Sequence, residues 1–277
     1  MENGFFRVDA AKCIRCRKCV ADCAFKALKF DVAHSEVIMP NPERCMRCQH
    51  CFAICPVGAI SIDGKNAALS EKCRALSLPG GQEVDNWMRV RRSTRQFQKK
   101  DVPQEEIDKI LRVLGNAPTG CNARGLTFHC VNGFEKMDLF KRRFLETIAA
   151  HRDGEHLLPR DIAVPAIKLR EGKEDIFFRG AAGMVVISSD ISNPLVATPE
   201  VDVSAACAYF EMIAHSHGIA TCWFGFMRMV QAHVPEILEK TLGINRKTPF
   251  YAMLYGYSAV QYERTIQRED YAAIKYW

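Results

Sequence analysis

The 277-residue sequence predicts an α+β protein made of a small cysteine-rich domain followed by a larger α+β domain. Eight of the thirteen cysteines lie before residue 56, and a segment rich in glycine, serine and proline follows them. Beyond that segment, helical and strand patterns alternate, which predicts the α+β class. The expected boundaries are residues 1–62 for the first domain, 63–83 for a linker and 84–277 for the second domain.

Two copies of one cysteine spacing define the first domain. Each copy follows the bacterial C-x2-C-x2-C-x3-C pattern, in which three thiolates hold one iron-sulfur cluster and the fourth ligates the other. Pro56 follows the second copy, whereas Ala24 follows the first. The spacing therefore predicts a ferredoxin-like carrier of single electrons with two 4Fe-4S clusters. One would be held by Cys13, Cys16, Cys19 and Cys55, and the other by Cys45, Cys48, Cys51 and Cys23.

Other uses of these cysteines fit the sequence less well. Structural zinc usually draws its four ligands from separated pairs rather than from two repeated quartets. Disulfides need an oxidising compartment, and the first twelve residues lack the apolar stretch of a secretory signal. No apolar run approaches the roughly 20 residues that span a bilayer. We therefore expect a cytoplasmic protein with no membrane partner.

The expected elements follow in chain order. Apolar residues around Asp31–Glu36 predict a short hairpin in the first domain. In the second domain, apolar residues at helical spacing between Pro103 and Gly115 predict one helix, and a similar pattern over residues 203–217, closed by Gly218, predicts another. Runs of β-branched and aromatic residues predict three strands, at residues 127–131, 184–187 and 250–255.

A basic segment precedes the first of these helices. Such a segment is usually a solvated face, and nucleic-acid binding is the first functional alternative. No aromatic-interleaved basic stretch or helix-turn-helix pattern accompanies it, and anionic cofactors would reduce the net charge of +6. We therefore expect no nucleic-acid partner. The segment contains Arg89, Arg91, Arg92, Arg95, Lys99 and Lys100.

Five segments of the second domain together resemble the nitroreductase-like flavoproteins. Residues 91–95 read Arg-Arg-Ser-Thr-Arg, and residues 117–122 read Ala-Pro-Thr-Gly-Cys-Asn. Residues 179–182 read Arg-Gly-Ala-Ala, and residues 218–225 read Gly-Ile-Ala-Thr-Cys-Trp-Phe-Gly. The tail adds Gly256-Tyr257, then Tyr262-Glu263-Arg264 and Arg268. The resemblance covers about residues 84–277 and implies a nitroreductase-like α+β domain that binds FMN.

The resemblance also implies which residues hold FMN. Planar guanidinium groups suit the dianionic phosphate, which indicates Arg91, Arg92 and Arg268. Ser93 would lie on the phosphate or ribityl side, and Arg95 would reach the pyrimidine edge of the ring. The remaining candidates are Thr119, Gly120 and Asn122 at the ribityl and ring edge, Trp223, Phe224 and Gly225 near N5, and Arg264 in the closing signature.

Several residues near these segments leave alternatives open. Residues 123–125 read Ala-Arg-Gly where many relatives have Gln-Pro-Trp, which indicates a different contact to the ring or a different substrate. Trp223 fits either a flavin contact or the core. Cys121 and Cys222 are expected to be small hydrophobes, and His215 and His217 to be structural. No side chain stands out as a catalytic acid.

Together, the two domains predict a reductase supplied by its own clusters. The clusters would relay single electrons to FMN, which would pass hydride to a small electron acceptor such as a nitroaromatic, quinone or enone. The alternative is a redox carrier or sensor without a dedicated substrate. No G-x-G-x-x-G motif follows a strand, but the resembled family takes hydride from nicotinamides without that motif. Because the chain has its own clusters, we expect a ferredoxin or flavodoxin as donor, and NAD(P)H is the alternative. The resemblance further implies a homodimer with FMN at the subunit interface.

Overall fold

The computed structural model describes residues 4–151, 158–267 and 272–277, and the chain forms two compact units, Met1–Gly80 and Gly81–Trp277. The segment that the sequence marks as a linker is therefore divided between the units. Its first part forms two short 3-10 turns, Ala67–Leu69 and Cys73–Ala75. The first of these packs closely on the cysteine-rich unit, since a Cβ added at Gly58 would lie 2.9 Å from the Ala67 side chain.

The first unit is built from short strands and two one-turn helices. Strand β1 (Phe6–Val8) pairs antiparallel with β4 (Ile60–Ile62), so the two ends of the unit meet. Strands β2 (Lys29–Asp31) and β3 (Glu36–Ile38) form the predicted hairpin. Helices α1 (Lys18–Asp22) and α2 (His50–Ala53) each begin within one cysteine run.

An antiparallel sheet forms the centre of the second unit. Among the described residues its strand order is β5-β6-β8-β7. The three strands predicted from sequence are confirmed, and each extends by one or two residues beyond the expected ends. The strands are β5 (Leu126–Asn132), β6 (Gly183–Ser189), β7 (Ala220–Trp223) and β8 (Phe250–Gly256).

Helices cover both faces of this sheet. The predicted helix between Pro103 and Gly115 is confirmed, and the second predicted helix begins at Pro199, four residues earlier than expected. Gly218 has a left-handed φ of 72°, as expected for the residue that ends that helix. The helices are α3 (Gly81–Val90), α4 (Gln104–Leu114), α5 (Phe134–Ala150), α6 (Arg160–Arg170), α7 (Pro199–Ser216), α8 (Gly225–His233) and α9 (Ile237–Leu242).

Strand β6 divides the second unit into two cores. It is buried along its whole length, and its alternate side chains enter opposite cores. Met184 and Val186 pack with α5, α6, α8 and α9, whereas Val185 and Ile187 pack with α4 and α7. Helix α7 thus lies on one face of the sheet. The helices of the described residues are each too short or too polar to span a bilayer.

Candidate functional site

The cysteine repeat of the first unit is also a repeat of backbone conformation. Equivalent cysteines are 32 residues apart, and so are equivalent left-handed positions. Arg15 and Arg17 have φ values of 60° and 59°, and their counterparts Arg47 and Gln49 have values of 48° and 62°. Non-glycine residues rarely adopt such angles unless the surrounding structure requires them. The two loops are therefore folded alike around their cysteines.

The fourth cysteine of each run lies with the other run. Cys55 lines one cavity together with the first triplet, Cys13, Cys16 and Cys19. Burial is the main cause that raises the pKa of the Cys45 thiol, and the nearby charges of Cys48 and Cys23 raise that pKa further. The structure thus brings Cys55 beside the first triplet and Cys23 beside Cys45.

The surroundings of these cysteines suit thiolates bound to a cation. The backbone N–H groups of Ala27 and Ala59 donate to the Sγ atoms of Cys23 and Cys55, each at 3.3 Å, which favours the charged sulfur. Burial raises the pKa of Cys51 to about 12, so a free thiolate there is unfavourable without a positive metal beside it. Within the described residues, no three His, Cys, Asp or Glu side chains converge on a single-ion site.

In the second unit, the predicted FMN residues at 91–95 separate into two groups. Ser93 and Arg95 line a cavity of about 280 Å³ together with Arg179. Arg91 and Arg92 instead line a second cavity, of about 240 Å³, with Glu211. The backbone between the groups is fixed, because the N–H of Thr94 donates to the carbonyl of Thr221 at 2.8 Å. Trp223, Phe224 and Gly225 border the first cavity, and Tyr262 borders the second.

Glu211 is a functional candidate that the sequence analysis did not identify. Its carboxylate is 6% exposed and accepts three hydrogen bonds, from Arg91 Nη1 at 3.2 Å, Thr221 Oγ1 at 3.3 Å and Trp223 Nε1 at 3.2 Å. The sequence holds one signal for it. Glu211 stands at helical spacing from Cys207 and Ala214, within the apolar stripe of α7, where a carboxylate needs partners.

Arg92 has unused hydrogen-bonding capacity. Its Nη1 donates to the carbonyl oxygens of Arg89 and Arg91, at 3.0 and 2.5 Å. Its Nη2 is buried and has no hydrogen-bond partner among the described residues. A buried guanidinium donor without an acceptor is unfavourable, and an anion such as a phosphate oxygen would satisfy it.

The predicted ribityl loop lies at the other end of α7. Its backbone is left-handed at Cys121 and Asn122, with φ values of 52° and 53°. The N–H of Gly120 donates to Oδ1 of the buried Asp202 at 2.9 Å. Asp202 and Glu211 are nine residues apart on α7, which corresponds to about 14 Å along the helix. Thr119, Gly120 and Asn122 line neither arginine cavity.

The other residues predicted to bind FMN lie in the core, beside a cavity or at the surface. The indole ring of Trp223 packs edge-on against Tyr251, with ring centroids 5.2 Å apart, so this side chain belongs to the core and also borders a cavity. Phe224 is buried, and Gly225 is the exposed first residue of α8. Arg264 is exposed, and Arg268 lies outside the described residues.

The buried cysteine and the two histidines near the site have structural surroundings. Burial raises the pKa of Cys222, and the positive charges of Arg179 and Arg95 oppose that shift, which places both arginines near its sulfur. Cys121 is exposed. His215 packs edge-on against Trp87, and His217 Nδ1 lies 3.4 Å from a carboxylate oxygen of Glu106.

Comparison with known proteins gives two family matches. A model described as the nitroreductase family matches residues 88–257, and one described as a 4Fe-4S dicluster domain matches residues 12–59. Among curated proteins, none matches this chain.

Solved structures resemble the second unit. An FMN-bound nitroreductase from Bacteroides fragilis is 21% identical, with a TM-score of 0.53, over 70% of this chain and 99% of its own. One from Desulfitobacterium hafniense, also with bound FMN, is 21% identical, with a TM-score of 0.52, over 70% and 98%. An FMN-dependent nitroreductase from Clostridium difficile is 15% identical, with a TM-score of 0.50, over 71% and 100%. At these identities the likeness establishes the fold.

Proposed function

This chain belongs to the nitroreductase family and is a flavin-dependent oxidoreductase, and from that premise we propose that it is an FMN reductase supplied by its own iron-sulfur clusters. The proposed reaction is the two-electron reduction of a small organic electrophile such as a nitroaromatic, a quinone or an enone. FMN, when bound, supplies the conversion between single-electron and paired-electron transfer, and two 4Fe-4S clusters supply the single electrons. The observation that carries the proposal is the 4Fe-4S domain that precedes a nitroreductase domain in one chain.

The residues of the second unit fit an anionic flavin nucleotide. Arg91, Arg92 and Arg268 are proposed to hold the phosphate, and Arg264 of the closing signature is proposed to contribute to the same cofactor site. The buried Nη2 of Arg92 is a donor that lacks an acceptor among the described residues. Ser93 and Arg95 line the other cavity, where a guanidinium would stabilise negative charge on a reduced ring. Gly225 adds an exposed backbone beside the same cavity, with Trp223 and Phe224 as its walls.

The residues of the first unit fit two clusters. The proposed ligands of the first cluster are Cys13, Cys16, Cys19 and Cys55, which line one cavity with apolar neighbours such as Val37 and Ile60. Those of the second are Cys45, Cys48, Cys51 and Cys23. The N–H donors of Ala27 and Ala59 stabilise the sulfurs of the two crossing ligands, and such bonds tune a cluster's reduction potential.

The arrangement of the second unit supports a homodimer. Thr119, Gly120 and Asn122 lie about 14 Å along α7 from the arginine side of the site and line neither arginine cavity, so we propose that this loop contacts the FMN of the partner protomer. A symmetric dimer would place the loop of one protomer beside the arginines of the other. Helix α7 also exposes apolar side chains at helical spacing, with Val201, Tyr209 and Met212 exposed by 63%, 42% and 38%.

The relay is tested by removing one crossing ligand. Cys55→Ser should deplete cluster iron and slow the reduction of bound FMN by a reduced ferredoxin by about tenfold or more, because the tethered donor is lost. Substrate reduction by flavin reduced photochemically should persist. Cys73→Ser is the matched control, since Cys73 is exposed and lies outside both quartets. Equal rates of flavin reduction in the two variants would refute the relay.

The substrate class is tested with the fully reduced protein under anaerobic conditions. Nitroaromatics, quinones and enones are added in turn, and flavin reoxidation is followed by absorbance. We expect multiple turnovers with at least one of these classes. If no compound supports more than a single turnover, the protein is a redox carrier or sensor instead. Replacing the ferredoxin by NADPH or NADH in the same assay identifies the donor.

A further inference from the structure

A cationic patch surrounds the first cysteine loop of the first unit. Residues 12–18 contain four cationic side chains and no carboxylate. Lys12, Arg15, Arg17 and Lys18 are all exposed, and so is Cys16 in their midst. The loop thus presents a concentrated positive charge around a proposed cluster ligand that reaches the surface.

An exposed apolar residue lies among these cations in the sequence. Ile14 is 60% exposed, and Ile14, Arg17 and Lys18 line the same cavity as the four cysteines proposed for the first cluster. An apolar centre with a charged rim is the usual composition of a protein interface. Electron-transfer encounters bury less than about 1,200 Å² in total, so a small surface is sufficient for one.

The local contacts of these cations hold their positions and leave charge available. Arg15 Nε donates to the carbonyl of Ser35 at 2.9 Å, and the Arg17 guanidinium lies 4.1 Å above the Phe30 ring. Lys12 pairs with Asp9 at 3.2 Å. Among the described residues, Arg15, Arg17 and Lys18 make no ion pair with a carboxylate. Their charges are therefore available to a carboxylate from another molecule.

The internal repeat supplies a comparison within the same unit. At positions 32 residues later, Gln49 and His50 replace Arg17 and Lys18. Arg47, the counterpart of Arg15, pairs with Asp63 at 3.1 Å, and His50 lies 3.3 Å from Asp22. Two loops with the same cysteine spacing and backbone thus differ in surface charge. A requirement common to both clusters would not produce this difference.

We propose that residues 12–18 form the docking surface for a small acidic electron-carrier protein, one whose redox centre is surrounded by carboxylates. The inference rests on the proposed function and names the partner and its entry point, the cluster of Cys13, Cys16, Cys19 and Cys55. Each encounter transfers one electron: the carrier is oxidised by one electron and this chain is reduced by one, with no bond made or broken. Complementary charge raises the encounter rate and orients the partner.

The proposal is tested by reversing the charge of the patch. The holoprotein carrying Arg15→Glu, Arg17→Glu and Lys18→Glu is compared with one carrying Lys29→Glu, Lys65→Glu and Lys72→Glu, which changes the net charge equally at exposed sites of the same unit. The probe is an acidic plant-type ferredoxin, and binding of its oxidised form is measured by calorimetry at low and high salt. A triple substitution to Gln is prepared as well, in case Glu at Arg17 perturbs the left-handed backbone.

We expect the patch variant to bind the ferredoxin at least about tenfold more weakly at low salt and to lose most of the salt dependence, while the control retains both. Cluster reduction potentials, measured by redox titration, should match those of the unchanged protein. Equal affinity in the two variants would overturn the proposal. So would a shift in potential without weaker binding, which would mean that the cations only offset cluster charge.

Two further measurements separate the docking proposal from nucleic-acid binding and from the proposed reductase function. Loss of duplex-oligonucleotide binding in the patch variant, without loss of ferredoxin binding, would identify a nucleic-acid surface and overturn the proposal. Turnover of substrate by the photoreduced patch variant reports on the proposed function alone. If the patch variant turns over substrate and binds ferredoxin normally, the docking proposal is refuted and the proposed reductase function stands. If the patch variant binds ferredoxin more weakly and neither the unchanged protein nor any variant turns over substrate, the docking proposal is supported and the proposed reductase function is refuted.

Discussion

Glu211 joins three parts of the second unit through one buried carboxylate. It receives a guanidinium N–H from the segment after α3, and a hydroxyl and an indole N–H from β7. The Arg91 side chain is 24% exposed, so the ion pair is only partly screened by water. Glu211 is therefore a positioning residue, which fixes the direction of Arg91 and holds Trp223 against Tyr251.

Removing this carboxylate should destabilise the protein in two graded steps. Glu211→Ala leaves the three donors without this acceptor and should cost about 2–4 kcal/mol of unfolding free energy. Glu211→Gln keeps an acceptor for Trp223 but loses the charge, and should cost about 1 kcal/mol. Both variants should bind FMN more weakly, because Arg91 is no longer oriented. Urea unfolding and flavin titration measure these effects.

The exposed Glu146 of α5 provides the matched control for that series. Glu146→Gln makes the same change from carboxylate to amide at a solvent-exposed position. It should change the unfolding free energy by less than about 0.5 kcal/mol. If Glu211→Ala is no less stable than Glu146→Gln, the hydrogen bonds to Glu211 contribute nothing to the fold.

At the residue level, the sequence revealed the parts of the site that depend on local spacing. The eight cysteines follow from their separations alone, and the arginines at 91–95 follow from a short motif. The contacts of Glu211 with Arg91 and of Asp202 with Gly120 did not, because these partners are 120 and 82 residues away and are brought near only by packing. Similarly, no local pattern separates Arg91 from Ser93 and Arg95, since that division depends on the walls of two cavities.

At the level of elements, strands and helices with strong periodicity were predictable and the others were not. Helix α6 contains Pro165, which local rules treat as a helix breaker, yet Ile162, Pro165 and Ala166 are buried against α5 and its neighbours. Helix α3 begins at Gly81, inside a Pro-Gly-Gly sequence that indicates a connector. Strand β1 has only three residues and forms by pairing with β4, more than fifty residues later. Tertiary contacts decide each of these elements.

The pairing of β6 with β8 requires a glycine at position 183. A Cβ added there would lie 2.3 Å from Cζ of Tyr255, its partner on the neighbouring strand. Because Tyr255 is fully buried, its ring cannot move aside freely. Gly183→Ala should therefore destabilise the second unit by about 1–3 kcal/mol, as measured by thermal or urea unfolding.

Two further variants make the cause specific. Gly81→Ala is the control, since no heavy atom lies within 4 Å of a Cβ added there. Gly183→Ala should cost less unfolding free energy in a Tyr255→Leu background than in the unchanged protein, because the ring that blocks the new methyl group is gone. Strictly additive losses in the double variant would contradict the steric explanation.

At the scale of the whole molecule, the two ends of α7 hold the two sets of residues that we propose to contact FMN. The N-terminal end holds the loop of Thr119, Gly120 and Asn122 through Asp202, and the C-terminal half holds Arg91 through Glu211. One helix thus sets the spacing of both sets of proposed FMN contacts. In a symmetric dimer whose axis passes near α7, the exposed apolar stripe would be buried as each loop reaches the partner's arginines.

Charges placed on this stripe should separate the subunits and release the flavin together. In the variant Tyr209→Glu with Met212→Glu, a dimer interface would have to bury four unpaired carboxylates, at several kcal/mol each after relaxation. We expect a monomer by light scattering, and FMN loss on dialysis that the unchanged protein does not show. Val113→Glu, at an exposed apolar site on α4, is the control and should remain dimeric. A monomer that keeps FMN at full occupancy would show that one protomer completes the site, and a dimer that persists would place the interface elsewhere.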